Sequence, residues 1–185
     1  MKLKTTALSA LLALGTVMSA QALSITPDTM PQTTGTQTSQ AQINAAIAPI
    51  IGTATELYKQ DVGGSESGSL AGSYTATFSN TPGDPSNALI TYDGGSIVGD
   101  TAWLLVKDGN NNPAWYLFNL TDLGWNGTDD VILTGFWPDN GAISHVALYG
   151  TTGGGGNGVP DAGSSLALLG LALMGLAGIR QRIAR

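Results

Sequence analysis

The sequence predicts a mainly β protein: an antiparallel β-sandwich, jelly-roll-like or immunoglobulin-like, preceded by an amphipathic helix and bounded by apolar helices at both termini. Three observations predict it. From Ser73 onward Tyr74, Ala76 and Phe78 alternate with Ser73, Thr75, Thr77 and Ser79, the period of a half-buried strand. Further short apolar runs follow, with turn chemistry between each pair. At the two ends the pattern changes to uninterrupted apolar stretches of helical composition.

Taken in order, residues 1–22 open with Lys2 and Lys4, continue with an apolar run from Ala7 to Val17, and close on Ala20-Gln21-Ala22. A basic start, a short apolar core and small residues at the −3 and −1 positions predict a secretory signal peptide, cut after Ala22. The apolar run is too short to span a bilayer as a permanent anchor. The expected partners of this segment are the Sec translocon and signal peptidase.

Residues 23–40 are rich in Thr, Gln and Pro and show no sustained apolar period, which predicts a flexible linker. The pair Thr36 and Thr38 is not a repeat and carries no ice-binding ladder. Between 41 and 60, Ile43, Ile47, Ile50, Ile51, Ala54, Leu57 and Tyr58 fall on one helical face. An amphipathic helix is expected there, with a kink or a break at Pro49. Residues 61–72 are Gly-rich and read as a loop. Gly63-Gly64-Ser-Glu-Ser-Gly68 lacks the Lys and Ser/Thr ending of a phosphate loop.

The β domain is expected over 61–151. After Ser73–Ser79, its candidate strands are Ala88–Tyr92, Ala102–Lys107, Ala114–Leu120, Val131–Trp137 and Ile143–Tyr149. Between them lie Pro82-Gly-Asp-Pro85, Asp93-Gly-Gly95, Asp108-Gly-Asn-Asn-Asn-Pro113, Asn126-Gly127 and Asp139-Asn-Gly141; Asx-Gly pairs supply the positive φ angles that hairpins need. Trp103-Leu-Leu-Val106 and Trp115-Tyr-Leu-Phe118 are apolar on both faces, so they should be central strands. Residues 152–158 read as a Gly-rich linker.

Charge restricts the partners. Of the seven basic residues, only Lys59 and Lys107 lie in 23–158, and the middle of the chain carries a net charge of roughly −10. Nucleic acid and anionic lipid surfaces need clustered Lys and Arg, so both are poor partners and no nucleic-acid partner is expected. There is no Cys, so neither disulfides nor Cys–His chemistry is available.

Candidate chemistry in the middle is sparse, and no catalytic residue or cofactor is assigned. His145 is the only His and sits on an apolar strand, where a structural histidine is expected. A Ser–His–Asp triad stays open, without a nucleophile elbow to support it. Asp108, Asn110 and Asn112 have the i, i+2, i+4 spacing that begins a calcium loop. Pro113 then stands where Gly should be, and Asn119 where the bidentate Glu should be, so a hairpin turn is the expectation. Asp108, Asn110, Asn112 and the Asp129-Asp130 pair are retained as Ca²⁺ candidates. Trp125 and Trp137 border loops and are candidate glycan contacts, because an exposed indole stacks on a sugar face. Asn119-Leu-Thr121 and Asn126-Gly-Thr128 fit the glycosylation sequon.

The last 27 residues are the most informative. Val159-Pro160-Asp161-Ala162-Gly163 is followed by an uncharged apolar run over 163–179, and then by Arg180, Arg182 and Arg185. Leu and Ala favour helix, and the Arg cluster holds the C-terminal side cytoplasmic. A span needs about 20 apolar residues, so this transmembrane helix is marginal and suits a temporary stop. Motif, apolar helix and Arg cluster in this order resemble the PEP-CTERM class of bacterial sorting tails, also described as the ice-binding-protein C-terminal domain. The Val-Pro-Asp form is similar to the VPDSG-CTERM variant. The resemblance implies an exosortase-like transpeptidase at the inner membrane as partner, an inner-membrane intermediate held by the helix, and final delivery to the cell surface or extracellular matrix. It implies no ice binding. The family motif has Ser before Gly, whereas this chain has Ala162, which leaves the exosortase class open. The expected protein is therefore an exported, non-catalytic surface or matrix component. The alternatives are a carbohydrate-binding module for exopolysaccharide and, third, a hydrolase.

Overall fold

The computed structural model describes residues 22–30, 33–79, 85–109, 111–138 and 141–153. The signal segment up to Gln21, the sorting motif, the apolar run 163–179 and the Arg cluster lie outside the described residues. The helices expected at both termini therefore lie outside them too. Among the described residues no helix is long and apolar enough to cross a membrane.

The described residues are mainly β, with one short helix. The chain begins with strands β1 (Leu23–Ile25) and β2 (Thr33–Gly35), then helix α1 (Gln40–Ile51). Strands β3 (Thr55–Asp61), β4 (Glu66–Ser67), β5 (Tyr74–Phe78), β6 (Ala88–Tyr92) and β7 (Ile97–Val98) follow. The last five are β8 (Trp103–Lys107), β9 (Trp115–Asn119), β10 (Val131–Leu133), β11 (His145–Gly150) and β12 (Thr152–Gly153). They form a six-stranded sheet ordered β2-β9-β8-β11-β3-β4, a four-stranded sheet ordered β1-β10-β6-β5, and the pair β12-β7.

Alternation decides which face each side chain takes. From the six-stranded sheet, Tyr58, Leu104, Val106, Phe118, Val146 and Leu148 point into a core shared with Ile25, Tyr74, Ile90, Val131 and Leu133 of the four-stranded sheet. The intervening residues Trp103, Leu105, Trp115, Leu117, Ala147 and Tyr149 form a second core on the opposite face, closed by Ile43 and Ile47 of α1. All five residues of β8 are buried, as its apolar run predicts for a strand covered on both faces. Each fully buried Ile of α1 contributes about 1.5–3 kcal/mol of burial.

Four sequence expectations are corrected here. Residues 23–40 are not a structureless linker. Leu23–Ile25 pairs with β10 in parallel, Thr33–Gly35 pairs with β9, and Ile25 is completely buried. One buried Ile in a polar stretch has no period, and β1 also makes the four-stranded sheet mixed rather than purely antiparallel.

The helix does not reach residue 60. Ser39 caps its start by accepting from Gln42 N, and Gly52, at φ +63°, ends it while donating to Ala48 O. Pro49 does not break it: the helix runs through Pro49 and ends two residues later at Ile51. Leu57 and Tyr58 belong to β3, which pairs with β11 through a bulge between Leu148 and Tyr149.

The expected strand Val131–Trp137 stops at Leu133 because Gly135 takes φ +74°. At the other end, Thr152–Gly153 of the expected Gly-rich linker pairs with β7.

The β8–β9 hairpin is tied by one side chain. Thr121 Oγ1 accepts from Ala102 N and donates to Asp100 O, both at 2.9 Å. Thr121→Val removes both bonds and leaves a backbone donor unpaired. It is expected to lower stability by about 1–2 kcal/mol, measured by urea unfolding.

Candidate functional site

At one end of the two-sheet stack the segment after β10 folds back over β9. Phe136 anchors it: the ring is completely buried, and Phe136 N donates to Ser86 O at 2.9 Å. Gly135 N donates to Asn87 Oδ1 at 2.9 Å. With Phe136 fixed inward, the chain turns sharply on both sides of it, at Gly135 (φ +74°) and at Trp137 (φ +46°). Trp137 is the one non-Gly residue at positive φ among the described residues. An aromatic residue there costs of order 1–3 kcal/mol, and such strain concentrates at functional sites.

The strained turn places Trp137 against Tyr116 of β9, with ring centroids 5.3 Å apart. Phe136 meets Tyr116 edge-on at 5.5 Å. Trp137 Nε1 donates to Pro113 O at 2.8 Å, joining this wall to the Asn112–Pro113 turn, whose peptide is cis. Tyr116, Trp137 and Pro113 line a recess of about 550 Å³, together with Thr26, Asp28, Asn112 and Thr134. Asp28 and Asn112 are exposed at its rim, and Tyr116 is half-buried. Burial first, and the Asp28 carboxylate second, raise the pKa of the Tyr116 hydroxyl. That hydroxyl is therefore a neutral donor and acceptor at physiological pH.

Trp125 and Trp137 are not the open stacking platforms that their loop positions suggested. Each is 8% exposed. Trp125 spends its indole N–H on Asp129 O at 2.7 Å, as Trp137 does on Pro113 O. Trp125 packs 6.0 Å from Tyr74 and reaches a smaller recess of about 250 Å³ beside Val98, Asp100, Thr121 and Asn126. The structure does bring Asn112 and Trp137, two separate sequence candidates, to one recess. Asp28 and Tyr116 complete it and were missed by sequence reasoning. Asp28 lay in an apparent linker, and Tyr116 lay in a run apolar on both faces.

The calcium candidates are scattered. Asp108 is buried, and its carboxylate accepts from Gly109 N, Asn111 N, Asn111 Nδ2 and Ala142 N. It is a turn hub whose carboxylate is engaged by N–H donors. Asn110 lies outside the described residues. Asp129 and Asp130 lie in another loop, where their backbone oxygens hold Trp125 and Leu23 N. Among the described residues no group of three or more His, Asp or Glu stands close enough to hold a metal ion. The sequon residues are engaged in turns: Asn119 with Asp122, and Asn126 with Thr128 and Asp129.

His145 is buried beside Asp61, with Nδ1 3.5 Å from Oδ1. Desolvation first, then Lys59, lowers its pKa to about 4 against the partial offset of Asp61; Lys107 lowers it further. The ring is uncharged at neutral pH, so the close approach is not an ion pair. The ionic partner of Asp61 is Lys59, at 2.9 Å. His145 Nε2 is buried without a hydrogen-bond partner.

Ala22, the last residue of the expected signal segment, is exposed and immediately precedes β1. No curated protein and no solved structure matches the chain. Residues 158–183 match the VPDSG-CTERM motif. The match contains Val159, Pro160, Asp161, Ala162 and Gly163, the apolar run and two of the three arginines. By that match, the chain carries a PEP-CTERM-like sorting tail.

Proposed function

We propose that this is an exported protein which an exosortase-like transpeptidase processes at its tail, and whose β domain then serves as a non-catalytic component of the cell surface or extracellular matrix. The observation that carries the reading is the VPDSG-CTERM match over 158–183. Export through the Sec translocon, removal of residues 1–22 by signal peptidase and a transient inner-membrane stage belong to the same proposal. They are supported by the residue pattern of the two ends. Two sheets sharing one core support the jelly-roll-like or immunoglobulin-like form of the domain. The non-catalytic part is supported by His145, which is buried, uncharged at neutral pH and lines none of the recesses described above.

The test is intact mass. The native protein recovered from its host should lack both ends, and a double variant Pro160→Ala, Asp161→Ala should keep its tail. Processing that is unchanged in the variant ends the sorting claim. A wild-type species that stays in the membrane and still carries Arg185 makes the tail a plain anchor.

A second reading, a carbohydrate-binding module, is favoured by one observation. The Tyr116–Trp137 recess combines an aromatic wall, strained backbone and a few polar groups, among them one carboxylate, Asp28.

A further inference from the structure

We propose that the recess between β9 and the 134–138 turn binds a neutral sugar unit, with Tyr116 as the aromatic face and Asp28 and Asn112 as the polar clamps. The inference rests on the carbohydrate-binding reading and names its site and ligand class.

A pyranose offers one face of C–H groups and a ring of vicinal hydroxyls. A matching site needs an aromatic face and planar polar groups that engage two hydroxyls at once. Tyr116 is half-buried and packed against Phe136 at 5.5 Å, Trp137 at 5.3 Å and Phe118 at 6.1 Å. It is thus held rigid and costs little entropy on binding. The Asp28 carboxylate and the Asn112 amide are planar groups at the rim, and both are exposed. The recess, about 550 Å³, lies within the range of small-ligand sites. The positive φ of Trp137 supplies the second, independent sign of a built site: the fold holds that residue in a costly conformation to close one wall.

Charge selects the ligand. Asp28 is the charged group in the recess, and the domain around it is strongly acidic. An anionic sugar would meet repulsion without a compensating base. A proline-rich peptide would use the aromatic wall and leave Asp28 and Asn112 desolvated without the two hydroxyls that match them.

The test uses the protein purified from its host, with saturation-transfer NMR and calorimetry. The probes are glucose-, galactose- and mannose-terminated tetrasaccharides, trigalacturonate as the anionic comparator, and a hexaproline peptide. A neutral tetrasaccharide is expected to bind and trigalacturonate is not. Asp28→Ala and Asn112→Ala, both at exposed positions, should each raise Kd about tenfold without changing Tm. Thr77→Ala, on the far sheet, should change nothing. Neutral-sugar binding that survives both substitutions overturns this site while leaving the carbohydrate reading standing. Tighter binding of trigalacturonate or hexaproline overturns the ligand class. No binding of any sugar overturns both site and carbohydrate reading. Tail processing is read separately by mass, so none of these outcomes touches the sorting proposal.

Discussion

Trp115→Ala is expected to destabilise the protein by about 3–5 kcal/mol, the range for truncating a buried large aromatic residue. The ring is 2% exposed on the helix-side core, among Leu105, Leu117 and Ala147. It lies flat under the first segment of the chain: a Cβ placed on Gly35 would come within 2.3 Å of Trp115 Cζ2. Its Nε1 donates to Gln37 Oε1 at 3.1 Å. The substitution therefore opens a cavity in the core and removes the platform on which β2 pairs with β9. Urea unfolding measures the cost, and Trp115→Phe, which keeps most of the volume, should lose clearly less. A loss below about 1 kcal/mol for Trp115→Ala would mean that residues 33–37 are not packed on β9.

Acid should destabilise the fold through one histidine. A group whose pKa drops from 6.5 to about 4 on folding takes up its proton less readily when folded. The neutral ring's contribution is complete above about pH 6.5 and is lost as the pH falls from there toward 4. The full loss is about 3 kcal/mol. The charges that face His145 explain the direction. On β3, Asp61 is already held by Lys59, and on β8 the partner residue is Lys107, whose ammonium donates to Asp108 O at 2.6 Å. A protonated ring would add a third cation to a buried site. Denaturation of wild type and His145→Phe at pH 7, 5.5 and 4 separates this term from carboxylate titration, which both proteins share. Wild type should lose about 3 kcal/mol more than the variant over that range. A difference that stays constant with pH would show that the ring titrates normally; His145→Gln repeats the comparison should the Phe variant pack poorly.

The strands with clean alternation or continuous apolar runs were legible. Ala88–Tyr92 is β6 to the residue, and Trp103–Lys107 and Trp115–Asn119 lie within the expected limits. What failed was local pattern set against long-range pairing. Leu57 and Tyr58 fitted a helical period, but Gly52 ended the helix and the free edge of β11 offered them a strand partner. Ile25 carries burial that a single apolar residue cannot announce. At the candidate site, Trp137 was found for the wrong physical reason. Proximity to a loop suggested exposure, whereas the positive φ turns the ring inward and spends its N–H on Pro113 O. Asp28, Asn112 and Tyr116 come from three distant parts of the chain, and no local signal joins them. The tail was legible because its information is composition and order, which need no tertiary structure.

The sheet order sets the timetable of folding. β11, the last long strand, is the one inserted between β8 and β3, and β10 must be present before β1 has any partner. Nothing made before residue 145 can therefore complete the six-stranded sheet, and residues 23–25 wait for residues 131–133, more than a hundred positions later. Such non-local pairing makes for slow closure, on the millisecond-to-second scale of sheet-rich domains. Val159 follows Gly150 by only nine positions. A growing chain thus stays open almost until its sorting motif has been made, so completion of the fold and appearance of the tail become consecutive events.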